Sequence, residues 1–203
     1  MEASWQESRG AFADAARWFV DTVAGVDDRW DRPGLGEWDL RALVGHTSRS
    51  LLTVEEYLGR PAAAVEVPSA ADYVRMTRAL AAQPAVAARG VAAGEALGED
   101  PAVAVAGLAR RVCALVDSRE PGALVTTVAG GMRLGEYLPT RTFELVVHTA
   151  DLSVALGTAP DVPPRAAALA LRLLSEVAVA DGLAGPLLLV ATGRPSFPGF
   201  SVL

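Results

Sequence analysis

The stretch Arg141-Thr142-Phe143-Glu144-Leu145-Val146-Val147-His148-Thr149-Ala150-Asp151-Leu152 decides how this chain is read. Arg141, Glu144, His148 and Asp151 follow one another at intervals of three, four and three residues, which stacks them on one face of a helix. Phe143, Leu145, Val146, Val147, Leu152, Val154 and Leu156 take most of the remaining circumference. A helix that is apolar on nearly every other side is buried among neighbours, so its polar stripe faces either a narrow solvent slot or an interior site. The pattern predicts a central helix from Gly135 to Leu156 with Gly157 as its stop.

The second histidine, His46, falls in another helical pattern. Asp39 stands as an N-cap, and Leu40, Leu43, Val44, Leu51, Val54 and Leu58 form an apolar stripe. His46 lies on the flank of that stripe, about 60° around from Leu43 at 100° per residue. Before it, Phe12, Ala15, Ala16, Phe19, Val20 and Val23 recur at helical intervals between Trp5 and Val26, and Asp31 to Gly36 is turn-rich. After it, Gly59 to Ser69 reads as a polar, proline-containing linker. A third helix begins near Ala70 and fades around Gln83-Pro84, and the Ala- and Gly-rich continuation to Gly98 is open to a separate short helix.

Pro101 suits the first turn of a helix that runs through Val116. Leu124 to Val128 and Met132 to Leu134, separated by Gly130-Gly131, read as two short strands or a hairpin. Beyond the central helix come a helix from Pro164 to about Ala180, an apolar piece from Leu187 to Ala191, and a Gly/Pro-rich tail. The expected fold is therefore mainly all-α: an up-and-down four-helix bundle with additional short helices and a small β-hairpin, short loops joining antiparallel neighbours. Residues 1–157 are expected to form the bundle, and 158–203 a short helical extension packed on it rather than a second domain.

With 51% of its 203 residues hydrophobic and 21% charged, the chain can bury one sizeable core. The net charge is −6, and all 18 basic residues are arginine with no basic run among them, which argues against a nucleic-acid partner. The longest apolar stretch, Val177 to Val190, is broken by Asp181, Gly182, Gly185 and Pro186, short of the ~20 residues a membrane span needs. No charged, apolar leader precedes Trp5, and the expected location is the cytoplasm. The single Cys113 sits between apolar residues and reads as core packing.

Two histidines carried on two helices, with Glu144 one turn behind His148 and Asp151 nearly one turn ahead of it, are the raw material of a divalent transition-metal site with an open coordination position. Two blander readings compete. Arg141 and Glu144 can form a solvated ion pair with His148 a hydrogen-bonded bystander, and His46 can simply be packed beside its stripe. Both must hold for the site to be dismissed. Arg75 and Arg78 on the third helix are candidates for anion binding, which a solvated helix face explains equally well. Trp38 is expected to staple the start of the His46 helix to the core, without a chemical role.

The residues around both histidines carry a family resemblance. Gly36-Glu37-Trp38-Asp39-Leu40-Arg41-Ala42-Leu43-Val44-Gly45-His46 resembles a signature of the DinB-like superfamily. Arg141 to Leu152 resembles the second signature of its mycothiol-dependent maleylpyruvate isomerase branch. The resemblance runs over roughly residues 5 to 157 and includes the close Thr192-Gly193-Arg194 to Leu203 of short family members. It implies a metal-binding four-helix bundle in which His46, Glu144 and His148 are the metal ligands, with zinc the usual ion and nickel or another transition metal as alternatives. A glutamate at position 144, where many DinB-like proteins carry a third histidine, points to the isomerase-like branch. The about 45 residues after Gly157 are too few for the sterol-carrier-like module of the two-domain isomerase, so nothing that module contributes is carried over.

The resemblance implies a metal-dependent transferase or isomerase that uses mycothiol as a thiol cosubstrate on a small electrophilic substrate, acting as a monomer or homodimer. Asp151 is expected to orient a ligand or take a proton, and Arg141 to pair with Glu144 or to face a substrate carboxylate. The rivals are a metal- or ligand-binding protein without turnover, and a metal-dependent hydrolase in which Glu144 or Asp151 assists a water.

Overall fold

Three of the bundle's helices start where the sequence offers an oxygen to the free amides of a first turn. In the computed structural model, which describes residues 4–81 and 85–203, α1 (Trp5–Ala24) opens on a capping box. The Ser4 hydroxyl accepts from the Glu7 amide at 3.2 Å, and the Glu7 carboxylate accepts from the Ser4 amide at 2.7 Å. Asp39 caps α2 (Leu40–Leu58) by accepting from the Ala42 amide at 2.7 Å. Asp100 does the same for α5 (Pro101–Asp117) through the Val103 amide at 3.0 Å, with Pro101 in the first turn.

Between α2 and α5 lie α3 (Ala70–Ala81) and α4 (Ala85–Glu95). The Ala/Gly-rich continuation is thus a helix of its own, while the expected fade at Gln83-Pro84 lies outside the described residues. After α5 come β1 (Leu124–Thr127) and β2 (Gly130–Arg133), then α6 (Leu134–Ala155), α7 (Pro164–Ala180) and α8 (Ala184–Ala191). The apolar piece before the tail is the helix α8; none of its residues is buried, and Leu188 is 65% exposed.

The bundle consists of α1, α2, α5 and α6. Both α1 and α2 pack against α5 and against α6, so the consecutive α1 and α2 face each other across the diagonal. The Gly25–Asp39 connection crosses that end of the bundle, which a short loop between neighbours would not do. The core runs through Phe12, Phe19 and Val23 of α1, Leu40, Leu43 and Leu51 of α2, Val105 and Val112 of α5, and Tyr137, Leu138, Leu145 and Leu152 of α6. Because α6 also receives α3 and α7, its buried residues are spread around its circumference, as its sequence predicts for a central helix.

The hairpin differs from expectation in its turn. Gly130 and Gly131 are strand residues, paired with Thr127 and Thr126, and the turn is Val128-Ala129. The glycines are required because another segment lies over them. A Cβ on Gly131 would stand 2.1 Å from the Ala64 carbonyl oxygen, and Gly130 has a φ of 122°. The Gly131 carbonyl accepts from the Glu66 and Val67 amides at 2.8 and 3.0 Å, so the stretch read as a linker is fastened to the hairpin.

A second close approach bears directly on the site. A Cβ on Gly45 of α2 would lie 2.1 Å from the Gly94 amide nitrogen of α4, and one on Gly90 would lie 2.7 Å from the Trp38 ring. These two contacts seat α4 directly on the helix that carries His46. Among the described residues no helix is long and apolar enough to cross a membrane.

Candidate metal centre

His46 on α2 and Glu144 and His148 on α6 converge across one seam of the bundle. One donor atom from each lies within 4.8 Å of the others. The i,i+4 spacing on α6 brings His148 Nε2 to 3.3 Å from Glu144 Oε2, and the two imidazole rings meet edge to face at 4.7 Å between centroids. Behind His148, Asp151 Oδ2 lies 3.1 Å from Nδ1. A carboxylate there fixes the tautomer and turns Nε2 toward Glu144 and His46.

The same residues carry displaced ionisation. Burial, and then the nearby His148, push His46 down to about 4, so it is a neutral base at pH 7. Burial opposes a charge on His148, but the hydrogen bonds to Asp151 and Glu144 outweigh it and raise it to about 9. Burial would likewise raise the Glu144 carboxyl, yet the His148 hydrogen bond and the Arg141 charge hold it at about 2. The triad is thus a neutral imidazole, an imidazolium and a carboxylate.

Three observations fit this set to a transition-metal ion. The donors are two imidazoles and one carboxylate, the mixture that borderline ions such as zinc take. A tetrahedral ion with bonds of about 2.1 Å keeps its donors about 3.4 Å apart, close to the 3.3 Å between Nε2 and Oε2. His46 Nδ1 is buried with no hydrogen-bond partner, an orphan that a plain core histidine would leave unsatisfied.

The triad opens on a cleft of about 570 Å³. Its walls include Trp38, the α2 face His46, Arg49, Ser50, Thr53 and Tyr57, and Tyr73, Arg89 and Arg141. Trp38 is therefore more than a staple: its ring lies over His46 at 4.4 Å between centroids, and its Nε1 donates to the Ala87 carbonyl of α4 at 3.0 Å. Its partner helix is too weakly patterned for that role to be read from sequence.

Other expected residues are placed as follows. Asp151 is not part of the cleft wall and reaches it only through His148. Arg141 is in the wall but forms no ion pair with Glu144 among the described residues. Its guanidinium stands over the rings of Tyr137 and Tyr73, at 5.2 and 5.5 Å, and its Nε donates to Thr140 Oγ1 at 3.1 Å. Arg75 and Arg78, read as candidates for anion binding, both grip Asp181 at the end of α7, Arg75 at 2.7 Å. Cys113 is half-buried, its thiol pushed up to about 11 by burial, which suits packing and not nucleophilic attack.

Arg49, Thr53, Tyr57, Tyr73, Tyr137 and Arg89 were not picked out by sequence reasoning. For α2 a signal was available, since His46, Arg49, Thr53 and Tyr57 recur at helical intervals and form a polar stripe. For Tyr73 and Arg89 none was, because their helices meet the cleft only through tertiary packing. Tyr137, wholly buried, donates its hydroxyl to Thr53 Oγ1 at 2.9 Å and forms the floor beneath Arg141.

Residues 12–153 match the family described as mycothiol maleylpyruvate isomerase N-terminal domain. No curated protein and no solved structure matches the chain.

Proposed function

The chain belongs to the mycothiol maleylpyruvate isomerase N-terminal domain family, and from that membership we propose that it is a metal-dependent enzyme in which mycothiol serves as thiol cosubstrate for a transferase or isomerase reaction on a small electrophile. His46, Glu144 and His148 would hold a divalent ion, zinc first among the candidates. The observation that carries the reading is the cleft of about 570 Å³ beside only three donors among the described residues. A purely structural ion would be closed off by a fourth protein ligand, whereas a catalytic one keeps a position open.

A bound ion would supply Lewis acidity that lowers the pKa of a thiol, so that a thiolate is available near neutral pH. The chain's own residues do the rest. Asp151 holds the His148 ring by Nδ1, Glu144 offers its carboxylate, and Trp38 covers one face of His46 against water. In a transferase the sulfur stays bonded to the attacked carbon, and in an isomerase it leaves after rotation about the bond it loosened. Arg141, on the cleft wall, faces the electrophile. Residues 158–203 are taken as an extension of the same unit, consistent with the packing of α7 on α1 and α6.

Elemental analysis and a conjugation assay test this together. Wild-type protein should carry one equivalent of metal and convert mycothiol with at least one unsaturated acid or epoxide to an adduct or isomer. His46→Ala and His148→Ala should each lose both properties. Full metal occupancy in both variants would remove the site, and an inert, metal-replete wild type would leave a binding protein without turnover.

A further inference from the structure

The helix α8 lies on the surface with nothing over it. Its residues, Ala184-Gly185-Pro186-Leu187-Leu188-Leu189-Val190-Ala191, include no polar or charged side chain, yet none is buried. A helix that is apolar on all sides belongs in an interior, but α8 packs chiefly on α7 and leaves its outer side to water. Beside it runs a groove of about 500 Å³. Phe143, Val146 and Val147 of α6 make the groove's floor, α7 and α8 add Leu174 and Val190, and the tail adds Phe200. Among the described residues no charged side chain lines it, and Ser201 is its one polar residue.

Ridge and groove form one apolar face. Leu171 of α7, on the groove's edge, is 61% exposed and Leu188 is 65% exposed; Leu189 and Val190 are exposed beside it. Phe197, 53% exposed, extends the face through its ring, which meets Phe200 edge to face at 5.2 Å. With the half-buried lining these side chains leave roughly 600 Å² of apolar surface uncovered, at the top of what a monomer carries and near the ~800 Å² that each partner gives to a standard interface. A helix that lies in a membrane surface sets a charged face against its apolar one, and α8 has none, while a net charge of −6 repels anionic lipid. A small apolar molecule would fill the groove and leave Leu188 and Leu189 bare, since neither lines it. An apolar ridge next to an apolar groove is what a twofold contact between copies needs, because the ridge of each copy then enters the groove of the other.

We infer that two copies of this chain pair through the α7–α8 face, each laying α8 into the other's groove, as a homodimer with twofold symmetry. The pairing owes nothing to the function of the triad. No residue is common to the linings of the groove and of the cleft, and Glu144 and His148 stand on another face of α6 from Phe143, Val146 and Val147. Both clefts therefore stay open in the dimer, while the helix that carries two of the three donors is covered from behind.

Sedimentation velocity of the wild-type chain at micromolar concentration tests this, and should give twice the chain mass of 21.1 kDa. Leu188→Glu and Leu171→Glu should each return the single-chain mass with helical content unchanged by circular dichroism, because both side chains are exposed in the isolated chain. Val103→Glu, at a 66% exposed position on α5 away from this face, should keep the double mass. Leu188→Ser, a milder change, decides the matter if a glutamate variant does not fold, and should raise the dimer dissociation constant by about tenfold or more. Metal content per chain should be the same in wild type and in the variants. A single-chain mass for the wild type would overturn the pairing, whether or not phosphatidylcholine vesicles or an apolar dye take up the face. So would a double mass that survives both glutamates, or an open series of larger assemblies.

Discussion

His148 presents Nδ1 to Asp151 Oδ2 at 3.1 Å, and that one contact decides which nitrogen faces the cleft. With Nδ1 engaged, Nε2 lies 3.3 Å from Glu144 and edge-on to the His46 ring. Asp151→Ala leaves the ring free to rotate and to change tautomer. Metal affinity should fall by about 10- to 100-fold, while Asp151→Asn, which keeps an acceptor oxygen but not the charge, should lose less. Competition titration against a chromophoric chelator measures both, and equal affinity in wild type and Asp151→Ala would show that the contact does not orient a ligand.

The metal-free protein should be most stable near pH 6.5, for reasons of opposite sign at its two histidines. His46, lowered to about 4, resists protonation in the folded state, so stability is lost as pH falls from 6.5 towards 4. His148, raised to about 9, contributes stability that is complete below its unfolded value of 6.5 and disappears as pH rises through 9. Glu144, held at about 2, adds a further loss below 4.5. Thermal melts in a chelator from pH 4 to 9.5 should trace that maximum. A flat profile between pH 6.5 and 9 would contradict the charged state of His148.

The same proton sets the pH dependence of metal uptake. An imidazolium has no lone pair to give, so at pH 7 His148 must release its proton as the ion arrives. Apparent zinc affinity should rise with pH up to about 9, and about one proton should be released per ion at pH 7. Calorimetry in buffers of different ionisation enthalpy counts that proton. Uptake without release would place the ion elsewhere.

What the sequence made legible follows the range of the interactions involved. The helix starts at Ser4, Asp39 and Asp100 are set by bonds spanning three residues, and the stripe from Arg141 to Asp151 by a single helical period, so both could be read locally. The meeting of His46 with Glu144 and His148 joins residues about a hundred positions apart, and only the paired motifs pointed to it. Gly130-Gly131 shows the opposite case. Two adjacent glycines have the composition of a turn, but their purpose is to admit the Ala64 backbone and the Glu66 side chain, which no local pattern announces. Arg75 and Arg78 look like free cations until Asp181 arrives from the end of α7.

Trp38 should contribute to both stability and the site. Trp38→Phe keeps a ring over His46 but removes the N–H that reaches the Ala87 carbonyl, a loss of about 1 kcal/mol. Trp38→Ala removes the ring as well and should cost about 3 kcal/mol while loosening α4. Urea unfolding at a pH where both histidines keep their native states separates the two. Equal stability of the two variants would mean that the ring does not pack.

One substitution, made at two glycines, should change stability in opposite directions. At Gly45 a Cβ would stand 2.1 Å from the Gly94 amide nitrogen and 2.5 Å from its Cα, all backbone, so α2 and α4 have to move apart. Gly45→Ala should destabilise by about 1–3 kcal/mol and, because His46 is the next residue, weaken metal binding as well. At Gly107, within α5, a Cβ meets nothing within 4 Å. Gly107→Ala should stabilise by about 1 kcal/mol through helix propensity alone, with metal affinity unchanged. Urea unfolding of the pair, each with and without zinc, reads both effects. If Gly45→Ala were as stable and as metal-competent as wild type, the tight seating of α4 on the His46 helix would be refuted.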